Sequence, residues 1–148
     1  MPHSVHLFLE QVYHGLWDGC SFVINGGHVL QAGPYQHHSN GIENVLQSFK
    51  DRELDVVSFQ EYSDEFPNKK YSLGFAGRPG GPDFYINMRD DTKNDGQHGQ
   101  SHDMKEEADP CFAKVISGFH VIDDILMLSR EEHSNSLTQF VEIKRAEI

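Results

Sequence analysis

The sequence predicts a mainly β fold: a closed or nearly closed antiparallel β-barrel with two α-helices against it. Three observations carry this. Apolar patterning gives a helix, several short strands, a second helix and a last strand, too strand-rich for a bundle and without the alternation of a parallel sheet. The strands are short and bounded by Gly, Pro, Asn and Asp. The length, 148 residues, suits one domain, 1–148, that can bury an ordinary core without metal or disulfide.

The elements follow in order. Val5, Phe8, Leu9 and Val12 fall at i, i+3, i+4 and i+7, which predicts an amphipathic helix with Ser4 as its cap and Gly15 at its end. "CSFVI" and "HVLQA" flank "NGG", a hairpin signal, because Asn25-Gly26 suits the two left-handed positions of a type I′ turn. Residues 34–55 are polar and His/Asn-rich and read as loop, with a short helical turn near Val45. "DVVSF", "SLGFA", "DFYINM" and "CFAKVI" read as strands, with a long acidic loop before the last of them. Val121, Ile122, Ile125 and Leu126 predict a second helix starting after Gly118, and "TQFVEIKRAEI" alternates as a closing strand.

Composition excludes several functions. The chain carries 12 basic and 23 acidic residues, a formal net charge of −11. Such a surface repels phosphate backbones and anionic lipids, so no nucleic-acid partner is expected. No apolar run approaches the roughly 18 residues of a membrane helix, and "MPHSVHLFLEQVY" lacks the basic start of a signal peptide. The compartment stays undecided: Cys20 and Cys111 form no CxxC pair, and they read either as two buried free thiols or as a bridge closing a long loop.

Motifs with chemistry are few. "GFAGRPGG" matches neither glycine-rich phosphate signature, and no helix start follows it. "DDTKNDGQHGQSH" resembles a calcium loop around Asp91, Asp95 and Gly96, but Lys93 and His102 stand at ligand positions. His37-His38 and the pair His98 and His102 lack a completing acid or Cys, so no metal or other cofactor is expected. No GxSxG elbow exists, and nothing supports Cys20 or Cys111 as a nucleophile.

The segment "FLEQVYHGLWDGCSFVI" resembles the first helix and following strand of cyclophilins, the peptidyl-prolyl isomerase family, read there as FLxLxxxGxYDGxxFHRI. Phe8, Leu9, Glu10, Gly15, Asp18, Gly19 and Phe22 coincide without a gap. Gln31 in "NGGHVLQAG" stands at the family's Gln-Gly-Gly, with about one residue deleted. "FQEYSDEFPNKKYSLGFAG" is similar to its KFxDE loop and next strand, "DFYIN" to its QFFI strand, and "VEIKRAEI" to its last strand. "CFAKVISGFHVIDDI", against VFGKVxxGxxVVDxI, is the most specific block. The resemblance covers almost the whole chain in order, and it implies an eight-stranded barrel capped by two helices.

Two departures from the family matter. The resemblance places two strands before the first helix, and this sequence starts almost at the helix, so barrel edges are expected to be bare. That implies self-association through the edges, the closing strand among them, or a domain cut from a longer chain. The second departure is chemical. In the family an Arg donates toward the prolyl nitrogen, a Gln places the substrate carbonyl, and an aromatic pocket holds the proline ring. Here Val23 and Ile24 replace the His and Arg after Phe22, Asp83 replaces a Gln, Gly77 replaces an Asn, and Asp109 stands near the pocket His. Trp17 is not at the family's Trp position. Phe84 and Tyr85 keep the aromatic pair, with Tyr85 at the pocket position.

The resemblance thus implies a substrate groove of Ile24, Leu30, Gln31, Phe75, Ala76, Gly77, Asp83, Phe84 and Tyr85 that takes proline-containing peptide or protein segments, with isomerase activity weak or lost. Gln31 and Arg78 are the candidate catalytic residues, Arg78 lying in the loop beside the groove; Arg52 and His28 are weaker substitutes. The alternatives are an active isomerase using a relocated Arg such as Arg78, and a subdomain of a larger protein binding a non-peptide ligand.

Overall fold

The computed structural model describes residues 1–59, 61–63, 65–77, 79–90 and 111–148. Helix α1 spans Pro2–Tyr13 and buries Ser4, Leu7, Gln11 and Val12, one face of a 3.6-residue repeat. Proline in its first turn gives up an N–H that has no intrahelical partner anyway. Ser4 is not the cap, because it lies inside the first turn. A distant carboxylate caps the helix instead: Glu61 accepts from His3 N at 3.1 Å and from Ser4 N and Ser4 Oγ at 2.7 Å each. Burial alone would raise the Glu61 carboxyl, but these donors outweigh it and hold it below its ordinary value. Gly15, φ 64°, takes the left-handed residue after the helix.

Strands β1 (Ser21–Asn25) and β2 (Val29–Gly33) form the expected hairpin. Its turn is not the expected type I′: Gly27, φ 78°, is left-handed, whereas Asn25 stays extended and uses its side chain to accept from Gly27 N. Within residues expected to be loop, β3 (Tyr35–His38) and β4 (Gly41–Asn44) make a second hairpin. It is mostly exposed and polar, so no apolar alternation announces it. Helix α2 (Leu46–Lys50) stands where a helical turn was expected.

"DVVSF" is not a strand. Val56 and Phe59 are 40% and 51% exposed, and the segment is tied by Val57 N donating to Gly80 O, not by a ladder. Next come β5 (Ser72–Phe75), β6 (Phe84–Asn87), β7 (Cys111–Lys114) and α3 (Phe119–Leu126), which follows Gly118 as expected. The last strand, β8 (Ser136–Glu142), begins and ends earlier than the pattern predicts. Beyond it, Gly19 N donates to Ile143 O, Ile143 N to Cys20 O, and Ala146 N to Asp18 Oδ1 at 2.8 Å.

Six strands pair in the order β7-β5-β6-β2-β1-β8, every ladder antiparallel. Among the described residues β7 and β8 do not pair with each other. The start of β8 is partly covered, by the Arg130–Leu137 bridge and by Thr138 N donating to Ser129 O.

The core is aromatic. Phe8 of α1 lies 5.3 Å from Phe84 and 5.2 Å from Phe112, ring centre to ring centre, and Phe75 stacks on Phe112 at 4.6 Å. Trp17 meets Phe49 and Phe84 edge-on. Buried rings of this kind contribute about 2–3 kcal/mol each. Trp17 is 1% exposed, and its Nε1–H donates to Gln11 Oε1 while Gln11 Nε2 donates to Leu54 O, so the buried amide is satisfied at both ends. Cys20 and Cys111 are both buried and free. No helix among the described residues is long and apolar enough to cross a membrane.

Candidate functional site

Strand register assembles the site. Residues directly paired across antiparallel strands put their side chains on one face. Ile24 pairs with Gln31, Gln31 with Tyr85, and Tyr85 with Gly74, so β1, β2, β6 and β5 contribute to one continuous outer row. The neighbouring row pairs Phe22 with Ala32, Ala32 with Phe84 and Phe84 with Phe75, and these are core residues.

The two rows are joined at a β-bulge. The β1–β2 register shifts between Phe22 and Ile24, leaving Val23 as the additional residue. An added residue re-aims the side chain that follows it. Without it, Phe22 and Ile24 would share a face; with it, Phe22 enters the core row and Ile24 joins Gln31 and Tyr85.

Period-two alternation divides the expected groove residues between two faces. Leu30 and Phe75 are 0% exposed and Phe84 is 6% exposed, all within the core cluster, so they back the outer face and do not line it. Tyr85 is 5% exposed but outside that cluster, while Ile24, Gln31, Ala76 and Asp83 are half-buried and Gly77 is exposed. Trp17 packs on Phe84, behind the row.

The loop after β5 forms a lip beside the row. Ala76 N donates to Asp83 O at its neck, Gly81 N donates to Ala76 O, and Val57 N holds it through Gly80 O. Gly80 is required by close approach: a Cβ there would stand 2.7 Å from Phe75 Cβ. Gly77 and Gly81 take φ of 91° and 119°.

The lip delivers Asp83 to the row. Gln31 Nε2 donates to Asp83 Oδ2 at 2.9 Å, and burial raises the Asp83 carboxyl above its ordinary value despite that bond. Gly33 makes the approach possible, since a Cβ there would lie 2.9 Å from the Tyr35 ring and 3.0 Å from Asp83 Oδ2. Sequence reasoning names Gln31 and Asp83 but not their pairing; a glycine two residues after the Gln was the available signal. Among the described residues the row therefore offers an amide, a carboxyl and an aliphatic side chain, with the Tyr85 ring buried behind them, and no cation.

Neither weaker substitute reaches it. His28 sits in the β1–β2 turn with Nδ1 3.1 Å from Gly26 O, and Arg52 is exposed beyond α2. Arg78 and Asp109 lie outside the described residues, as do the calcium-like loop and the pair His98 and His102. His37 and His38 are exposed, and His38 faces Glu43 at 3.0 Å. Among the described residues no three His, Cys, Asp or Glu side chains converge. Burial pushes the Cys20 thiol up to about 11, which leaves almost no thiolate at neutral pH. A cavity of about 920 Å³ lies elsewhere, around Asn25, Leu126, Arg130 and His133.

This geometry can be set beside known proteins. No curated protein matches the sequence. Two solved structures of a cyclophilin type peptidyl-prolyl cis-trans isomerase from Cryptosporidium parvum, one in the presence of the dipeptide Ala-Pro, superpose with a TM-score of 0.66 at 16% identity. They cover 97% of this chain, which in turn covers 83% and 82% of theirs. That likeness fixes the fold. The family model described as cyclophilin type peptidyl-prolyl cis-trans isomerase matches residues 1–148. The chain is a member of the cyclophilin-type peptidyl-prolyl cis-trans isomerase family.

Proposed function

We propose that the outer row binds proline-containing peptide or protein segments and that its isomerase activity is weak or lost. The observation that carries this reading is the register placing Ile24 beside Gln31 and Tyr85. Prolyl isomerisation must lower a rotation barrier of roughly 18–20 kcal/mol set by amide resonance. A donor aimed at the twisted amide supplies several kcal/mol of that. At position 24 the side chain is a hydrocarbon, which donates nothing. Gln31 can still offer its carbonyl oxygen and second N–H to a peptide while its first N–H stays on Asp83. Tyr85, 5% exposed, backs the row with its ring, and the half-buried Ile24 supplies the apolar surface for a proline ring.

The test is two-dimensional exchange NMR on a set of Ala-Pro peptides titrated with the labelled protein; Ala-Pro is the dipeptide present with the Cryptosporidium isomerase. The expected outcome is peptide-dependent shifts at the Gln31 and Tyr85 amides, with cis/trans exchange close to the buffer rate. Strong acceleration would refute the loss of activity, and its disappearance in Arg78→Ala would assign the chemistry to a relocated arginine. No shift at any peptide concentration would refute peptide binding and favour a non-peptide ligand.

A further inference from the structure

We propose, resting on the peptide-binding reading above, that Asp83 gives the row a subsite for a basic side chain, arginine before lysine, carried one or two residues from the proline. Register supplies the first reason. Gln31 pairs with Tyr85 and Ala32 with Phe84, so one further step sets Gly33 opposite Asp83. On its other side Gly33 pairs with Ser21 of β1. Period-two alternation puts Gly33 and Asp83 on the same face as Gln31 and Tyr85. The carboxyl therefore lies about 7 Å along the strands and about 10 Å across them from Ile24. One or two residues of extended peptide, ending in a long side chain, span that separation.

The surroundings supply the second reason. The position a Cβ of Gly33 would take lies 2.9 Å from the Tyr35 ring and 3.0 Å from Asp83 Oδ2. An aromatic ring and a carboxylate thus meet over one glycine. Tyr35 and Asp83 are both half-buried, so each keeps a side toward solvent. A guanidinium can pair with the carboxylate and lie against the ring at once, which a compact ammonium does less well.

Charge supplies the third. The bond from Gln31 Nε2 needs an acceptor at position 83 and not a charge, since an amide oxygen would take it as well. Burial disfavours the ionised carboxyl, and the donors opposing it are Gln31 and the N–H of Asp83 itself. An arriving cation offsets that penalty. An acidic segment adds to it and also meets a chain of net charge −11.

The experiment titrates the full chain, isotope-labelled and at low salt, with blocked heptapeptides. AARAPAA and AAAPARA carry arginine two residues before and two residues after the proline; AAAAPAA and AAEAPAA are the neutral and acidic counterparts. At least one arginine peptide is expected to bind tenfold or more tighter than AAAAPAA, with AAEAPAA weakest, and to shift the Gly33 and Asp83 amides. In Asp83→Asn, which keeps an acceptor for Gln31, the arginine and alanine peptides are expected to bind within twofold of each other. Equal affinities in the parent, or a preference that survives in Asp83→Asn, would overturn the proposal. So would a preference absent from the parent and gained in Arg78→Ala, because Arg78, five residues before Asp83, would then be what the carboxylate holds. Equal binding of all four peptides refutes this subsite and leaves the proline reading standing, whereas no shift with any of them refutes both.

Discussion

Replacing Glu61 tests how the site is held from behind. Its carboxylate receives three donors at 2.7–3.1 Å, and Ser4, which supplies two of them, is 0% exposed. Glu61→Ala leaves Ser4 N and Ser4 Oγ without an acceptor where water does not reach, at roughly 1–3 kcal/mol per group. His3 is exposed, so its N–H recovers water and adds little. The loss of a negative charge at a helix N-terminus adds about 0.5 kcal/mol. The expected destabilisation is about 3 kcal/mol, a fall in Tm of roughly 6–12 °C for a domain of this size. Glu61→Gln keeps one acceptor oxygen and is expected to cost about half as much. The pH dependence gives an independent check. The folded carboxyl lies below its unfolded value, so its stabilisation is complete above about pH 4.3 and is lost as the pH falls further. Urea unfolding followed by Trp17 fluorescence at pH 7 and at pH 3 measures both effects. A Glu61→Gln variant within 0.5 kcal/mol of the parent at pH 7, or a deficit that persists undiminished at pH 3, refutes the tertiary cap.

Three further outcomes follow from the site. Ile24→Arg restores a donor to the row and is expected to raise cis/trans exchange of Ala-Pro peptides by about 10²–10³, the effect of one well-placed donor; an exchange rate equal to the parent's would show that Ile24 is not the missing element. Asp83→Asn keeps an acceptor for Gln31 and removes a charge that burial disfavours. Because the folded pKa of Asp83 is raised, its contribution is favourable below about pH 3.9 and is lost as the pH rises, the reverse of Glu61; the variant should show a higher urea midpoint than the parent at pH 7 and no advantage at pH 3. Finally, Cys20 and Cys111 should resist a thiol reagent at pH 8 in the native protein and react on denaturation, since both are buried and burial raises both thiols; rapid native labelling would contradict their placement.

The sequence was legible where periodicity and burial agree. α1, the first hairpin, β5, β6, β7 and α3 all announce themselves by apolar spacing or glycine position. The β3–β4 hairpin did not, because it is short and mostly exposed and carries Gln, His and Glu where an alternating pattern was sought. "DVVSF" misled in the opposite way: its β-branched residues suit a strand, but tertiary context uses them as a strap over the Gly80 lip. The expected groove residues divide between two rows for one reason. Consecutive strand residues point to opposite faces, so a motif that names both Leu30 and Gln31, or both Phe84 and Tyr85, mixes the core row with the outer row. Glu61 as the cap of α1 had no local signal, since its partners lie 57 and 58 residues away.

The bulge at Val23 separates two causes that sequence comparison runs together. Losing a catalytic arginine by substitution could leave the backbone that aimed it intact, or could accompany collapse of that backbone into a regular strand. Here β1 carries a register shift, and the residue at 24 is delivered to the row that carries Gln31 and Tyr85. A regular β1 would place Ile24 on the same face as Phe22, where an isoleucine would find apolar neighbours. The chain instead holds a half-buried aliphatic side chain on a surface shared with an amide and a carboxyl. That arrangement suits an apolar contact to a bound segment better than it suits packing, since the core row on the other face is already filled by Phe22, Ala32, Phe84 and Phe75. It also makes Ile24→Arg a change of chemistry on a geometry that is already built.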